Sequence, residues 1–167
     1  MKQVHDTFAD GALPYWNRFA VGRAWVQEAP GVVRFAMGPA PEGALSDAEL
    51  NDFRLFGRGK WPWRAPLRLT VRARASHDAE CLVTAAFSEW HVYRLEWLAA
   101  SVDFWVDEQK ILSTAMAPRG PLGFVAWIDN SMLRLREGEF AFANLAVAER
   151  EWLELSEVRI ESLETPA

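Results

Sequence analysis

The chain has 167 residues, half of them hydrophobic, which predicts one domain with a full core. Its 23 acids against 18 Lys and Arg leave a net charge of −5 with the bases scattered, which argues against nucleic acid or a membrane surface as a partner. A single cysteine (Cys81) excludes an internal disulfide, and the three histidines (His5, His77, His91) have no ligand spacing, so neither metal nor cofactor is expected.

The stretch 1–19 reads as an irregular N-terminal segment, with Tyr15-Trp16 as an aromatic pair. It has no apolar stretch behind a basic start, and no run nears the roughly 20 apolar residues of a membrane span; a cytoplasmic location is the expectation. Residues 22–29 and 31–38 are predicted strands joined at Pro30-Gly31 as a hairpin. Residues 44–56, "ALSDAELNDFRLF", are ambiguous. Ser46-x-x-Glu49 fits a helix capping box, while the setting fits a strand. Residues 57–66 form a loop containing Trp61 and Trp63 around Pro62.

"LRLTVRARA" (67–75) alternates strictly, with Leu67, Leu69, Val71, Ala73 and Ala75 on one face and Arg68, Thr70, Arg72 and Arg74 on the other. One face is buried and one wet. Residues 80–87 are a short strand or connector. Residues 89–98 and 102–107 form a second hairpin, with Asp103, Trp105 and Asp107 pointing outward. Residues 122–129, "LGFVAWID", are a strand whose core row is Leu122, Phe124, Ala126 and Ile128; Trp127 and Asp129 belong to the opposite row. Residues 132–136 and 139–147 flank a turn at Glu137-Gly138. The last strand, 151–163, changes apolar parity between Leu155 and Val158, which predicts a bulge near Ser156. Many short strands and little helix predict an all-β antiparallel sandwich.

"EWHVYRLEWLAASVDFWVDEQKIL" (89–112) and "LELSEVRI" (153–160) resemble the concanavalin A-like lectin/glucanase superfamily, including family 16 glycoside hydrolases. "DAELNDF", "APLRLTVRARAS", "GPLGFVAWIDN" and "WLELSEVRI" are similar to a set of bacterial members of unassigned function. The resemblance implies a single jelly-roll domain over 1–167. Two departures stand out. The connection between Ser76 and Trp90 is short, so strands of one sheet are expected to be short or missing, and an open edge could be paired in a homodimer. The Glu-x-Asp-x-x-Glu strand of the hydrolases is absent; Asp47-x-Glu49-x-x-Asp52 is the nearest match, with the acid types exchanged. In addition, Glu108 replaces the glycine of the usual "VDG", which implies a less tight turn.

The candidate ligand-binding residues are Trp105, Trp127, Asp129, Asn130, Trp61, Trp63, Arg72 and Arg74; the indoles suit stacking and the polar groups hydrogen bonding. Each has a structural alternative: core packing for the indoles, turn-tying for Asp129 and Asn130, a solvated face for the arginines. Asp129 and His91 are the candidate catalytic groups, although His91 shares parity with Tyr93, Leu95 and Trp97 and also fits a satisfied core histidine. The leading reading is a non-hydrolytic jelly roll that binds a small ligand, by analogy a carbohydrate, in an aromatic-lined groove. The alternative is a cofactor-independent cyclase or isomerase that encloses an apolar small molecule in the sandwich. A third is an oligomerisation module.

Overall fold

A computed structural model describes residues 3–52, 61–76, 86–136 and 139–163. Among these the secondary structure is strand alone: β1 (Gln3–Asp6), β2 (Asn17–Val21), β3 (Ala24–Ala29), β4 (Val32–Met37), β5 (Asp47–Asn51), β6 (Leu67–Ala75), β7 (His91–Trp97), β8 (Val102–Val106), β9 (Gln109–Thr114), β10 (Val125–Asp129), β11 (Ser131–Arg136), β12 (Glu139–Asn144) and β13 (Glu151–Ser162).

The larger sheet runs β3-β4-β13-β6-β7-β8-β9, every pairing antiparallel. β13 is long enough to serve two partners on one edge, β4 along residues 151–155 and β1 along residues 158–161. Its register shifts between Leu155 and Glu157, at the predicted bulge, and this restores the inward row as Val158 and Ile160. The smaller sheet is β10-β5-β2, also antiparallel. Ala48, Leu50, Ala126 and Ile128 of this sheet pack on Val33, Phe35, Leu155 and Val158 of the larger one, and these residues form the core between the layers. A ribbon of β11 and β12 makes a separate two-stranded sheet.

Several details differ from the sequence reading. The N-terminal stretch is not wholly irregular: it holds β1 and the start of β2. Between them Asp6 is buried and ties the chain, because its carboxylate accepts hydrogen bonds from the Phe8 and Leu13 N–H groups and from Trp16 Nε1. Within 44–56 the described part is a strand, and Ser46 caps no helix. Its hydroxyl instead accepts the Arg23 N–H at 3.0 Å. There the chain crosses from one sheet to the other at Gly22, where φ is +69° and an added Cβ would meet the Leu45 carbonyl oxygen at 2.1 Å. The turn after β8 is tight despite Glu108. Asp107 and Glu108 both take positive φ, 47° and 71°, as a two-residue hairpin turn demands. β9 follows, a strand that the sequence reading did not separate. The connector over 80–87 lies outside the described residues as far as 85, as do His77 and Cys81.

Candidate functional site

The outer face of the small sheet is a grid of three strands. Opposed residues of antiparallel neighbours share a face, so the register alone fixes who stands beside whom. One row is Val125, Asn51 and Asn17. The next is Trp127, Glu49 and Phe19. The third is Asp129, Asp47 and Val21. The opposite parity, Ala48 and Leu50 in β5, fills the core, which puts Asp47, Glu49 and Asn51 on the other face, where Asn51 is nevertheless buried at 5% exposure. Glu49 is thus flanked by an indole and a phenyl ring, both about half exposed: Trp127 at 51% and Phe19 at 49%.

The polar groups of this face are arranged around β5. Asn51 donates from Nδ2 to Glu49 Oε1 at 2.6 Å and accepts from Asn17 Nδ2 at 3.1 Å. Asp129 accepts the Ser131 N–H at 3.2 Å. Asp47 Oδ1 is buried and makes no hydrogen bond. Burial, and after it the charges of Glu49 and Asp129, push the Asp47 carboxyl up from 3.8 to about 6. The face therefore offers carboxylates that accept hydrogen bonds, one carboxyl that holds a proton in mildly acidic solution, and two aromatic surfaces.

Asp52, one residue beyond β5, does not join the row. Its oxygens accept the Phe124 N–H, Trp63 Nε1 and the Tyr15 hydroxyl, so it straps three segments together. Its negative charge, after burial, also raises the Tyr15 phenol above its ordinary range.

The structure brings together two of the residues singled out in the sequence, Trp127 and Asp129, and adds Asp47, Glu49 and Phe19 to them. Asn130 lies next to this face but points into the protein. It is 5% exposed; its Oδ1 accepts the Ser46 N–H, and its Nδ2 donates to the carbonyls of Ala44 and Leu145. It pins the root of the β11-β12 ribbon. Trp63 is buried in the core and Trp61 is exposed in the adjoining loop.

Trp105, Arg72 and Arg74 lie on the outer face of the larger sheet, across the molecule. Arg94 and Lys110 stack on Trp105, which is 9% exposed. Arg72 and Arg74 stack on Trp90; Arg72 also donates to Ser156, and Arg74 to Glu154. Glu154 is buried between Arg34 and Arg74 and accepts from both. These guanidinium groups are occupied by neighbours of their own sheet. His91 is 8% exposed, and both ring nitrogens face acceptors, Asp107 at Nδ1 and the Ala86 carbonyl at Nε2. The Asp107 bond, followed by the Ala86 bond, raises its pKa. Each ring nitrogen is thus held by a partner within the protein, and neither is turned toward a ligand.

Between the sheets, at the end of the larger one that the small sheet does not cover, lies an apolar trough of about 240 Å³. Leu69, Leu95, Trp97, Leu122 and Phe124 are among its walls, and among the described residues that line it none is titratable.

The sequence pointed to Asp47 and Glu49 only as the nearest match to a hydrolase acid triplet; the sign that marks them as binding groups is the outward parity of β5. It becomes informative only once β10 and β2 are known to lie on either side.

No family model matches the chain, and no curated protein matches it. Solved structures do. A sialidase superposes with a TM-score of 0.67 at 8% identity, over 97% of this chain and 18% of that one. A GlcNAcα1-4Gal-releasing endo-β-galactosidase from Clostridium perfringens gives 0.61 at 11%, over 94% and 61%. A prokaryotic β-1,3-1,4-glucanase (lichenase) from a mouse hindgut metagenome gives 0.56 at 7%, over 98% and 100%. The chain thus spans less than a fifth of the sialidase chain and under two thirds of the galactosidase chain. Likeness at such low identity shows the fold alone: the chain is an antiparallel β-sandwich of the jelly-roll type.

Proposed function

We propose that the outer face of the small sheet binds a carbohydrate without hydrolysing it. The observation that carries this reading is the row Trp127, Glu49, Phe19: a carboxylate between two exposed rings. A pyranose ring has apolar C–H faces and a polar rim. An indole can cover such a face, and a neighbouring carboxylate can accept from rim hydroxyls, with charge-assisted bonds the stronger kind. Asp129 and Asp47 extend the acceptor set along the next row. The fold neighbours named above include glycan-acting proteins, and this agrees with the reading.

Absence of hydrolysis is inferred from the third acid. The residue three beyond Glu49 is Asp52, which is engaged by Phe124, Trp63 and Tyr15, and the remaining outward position of β5 is the amide Asn51. A glycan array followed by calorimetric titration of the hits tests the reading. Saturable binding to an oligosaccharide, with no new reducing ends on prolonged incubation, is the expected result. No response to any glycan at millimolar concentration would remove it.

The trough between the sheets favours a second reading, a site for an apolar small molecule. Its described lining offers shape and dryness but no acid or base, which suits binding better than isomerisation or cyclisation.

A further inference from the structure

We propose that the ribbon of β11 and β12 is the surface through which two copies of this chain associate. Leu133 pairs with Phe142 and Leu135 with Phe140, so the four side chains share one face of the ribbon. They are 57%, 75%, 64% and 73% exposed in that order, and Leu145 at the foot of the ribbon is 45% exposed. Among the described strands, β11 and β12 pack appreciably only on each other. The ribbon therefore stands away from the sandwich, held at its root by Asn130.

Two-stranded ribbons are marginally stable in water, and one with a fully wetted apolar face gains nothing from that face. The four side chains present roughly 500 Å² of apolar surface, near the upper end of what a monomer carries without a use for it. Two such faces in contact remove about 1,000 Å² from water, which reaches the scale of a specific interface before any flanking residue is counted.

The face is also suited to its own copy. Its leucines lie on β11 and its phenylalanines on β12. A two-fold axis along the ribbon lays the leucine row of each copy on the phenylalanine row of the other, large against small. The net charge of −5 disfavours an anionic lipid surface as the occupant. The homodimer considered from the sequence is thus assigned to a ribbon face rather than to a sheet edge.

Sedimentation velocity of the full chain across a wide concentration range tests this. The unsubstituted protein is expected to be dimeric. Phe140→Ser/Phe142→Ser and, separately, Leu133→Ser/Leu135→Ser are expected to weaken dimerisation at least tenfold, with the far-ultraviolet circular dichroism unchanged. Phe142→Ser alone provides a milder step if a double variant misfolds. A monomer at every concentration overturns the proposal, as does a dimer that survives in a folded variant. A monomer that floats with phosphatidylcholine vesicles would assign the face to lipid and overturn it equally.

Discussion

Asp47 stands directly opposite Asp129 in the pairing of β5 with β10, and both side chains turn outward. Opposed Cα atoms in an antiparallel pair are only about 5 Å apart, so two like charges share a small space. Burial, and after it the charges of Glu49 and of Asp129, push the Asp47 carboxyl up to about 6.

A pH effect follows. The folded chain keeps a proton on Asp47 that the unfolded chain has already released between 3.8 and about 6. Stability from this group therefore falls as pH rises through that window and stays lower above it. Asp47→Asn removes the effect. The variant should exceed the parent by on the order of 1 kcal/mol near neutrality, after allowing for solvent screening, and match it below the window. Urea midpoints at the two pH extremes give the answer; the same difference at both would mean that titration is not the cause.

Trp127→Ala and Phe19→Ala should each weaken carbohydrate binding about tenfold while leaving the thermal midpoint nearly unchanged, because both rings are half exposed. Calorimetry and thermal melts on the same samples separate the two effects. A large drop in the midpoint would mark the rings as structural.

Asn130→Ala should be costly. It strands the Ser46 N–H and the carbonyls of Ala44 and Leu145 in a buried place, at a cost of about 3 kcal/mol. The denaturant midpoint reports it. Asn130→Asp keeps the acceptor but loses both donors, and should not restore stability.

Glu108→Gly should stabilise the fold by about 1 kcal/mol, because a side chain is held there at φ 71°. Asp107→Gly should do the opposite although its φ is also positive. Its carboxylate accepts the Val92 N–H and the His91 ring, bonds that glycine lacks. Chemical unfolding of the two variants side by side distinguishes backbone strain from hydrogen bonding.

The larger sheet was mostly legible in the sequence, since its strands carry their own period. Leu67 to Ala75 alternates without a break, and the parity change after Leu155 marks the bulge. Ser46-x-x-Glu49 left helix and strand both open, because its spacing fits a cap as well as a strand. β2 escaped because all five of its residues are exposed, so it shows no buried row. The candidate site was half legible: Trp127 and Asp129 could be put on one face of their strand from parity. Their partners Glu49, Phe19 and Asp47 come from segments far apart in the chain, and register between such segments is a tertiary property. Trp105, Arg72 and Arg74 show the converse, since outward parity did not say which of two outer faces they occupy.

Of the nine tryptophans, only Trp61 and Trp127 are exposed. Trp16, Trp63, Trp97 and Trp105 are buried, and Trp25, Trp90 and Trp152 are partly covered, so an uncharged quencher such as acrylamide reaches Trp61 and Trp127 most readily. One of those two, Trp127, sits in the row beside Glu49. The protein thus carries its own optical probe of that face: loss of quenching on adding a sugar, and its absence in Trp127→Phe, would report occupancy at this position without any label.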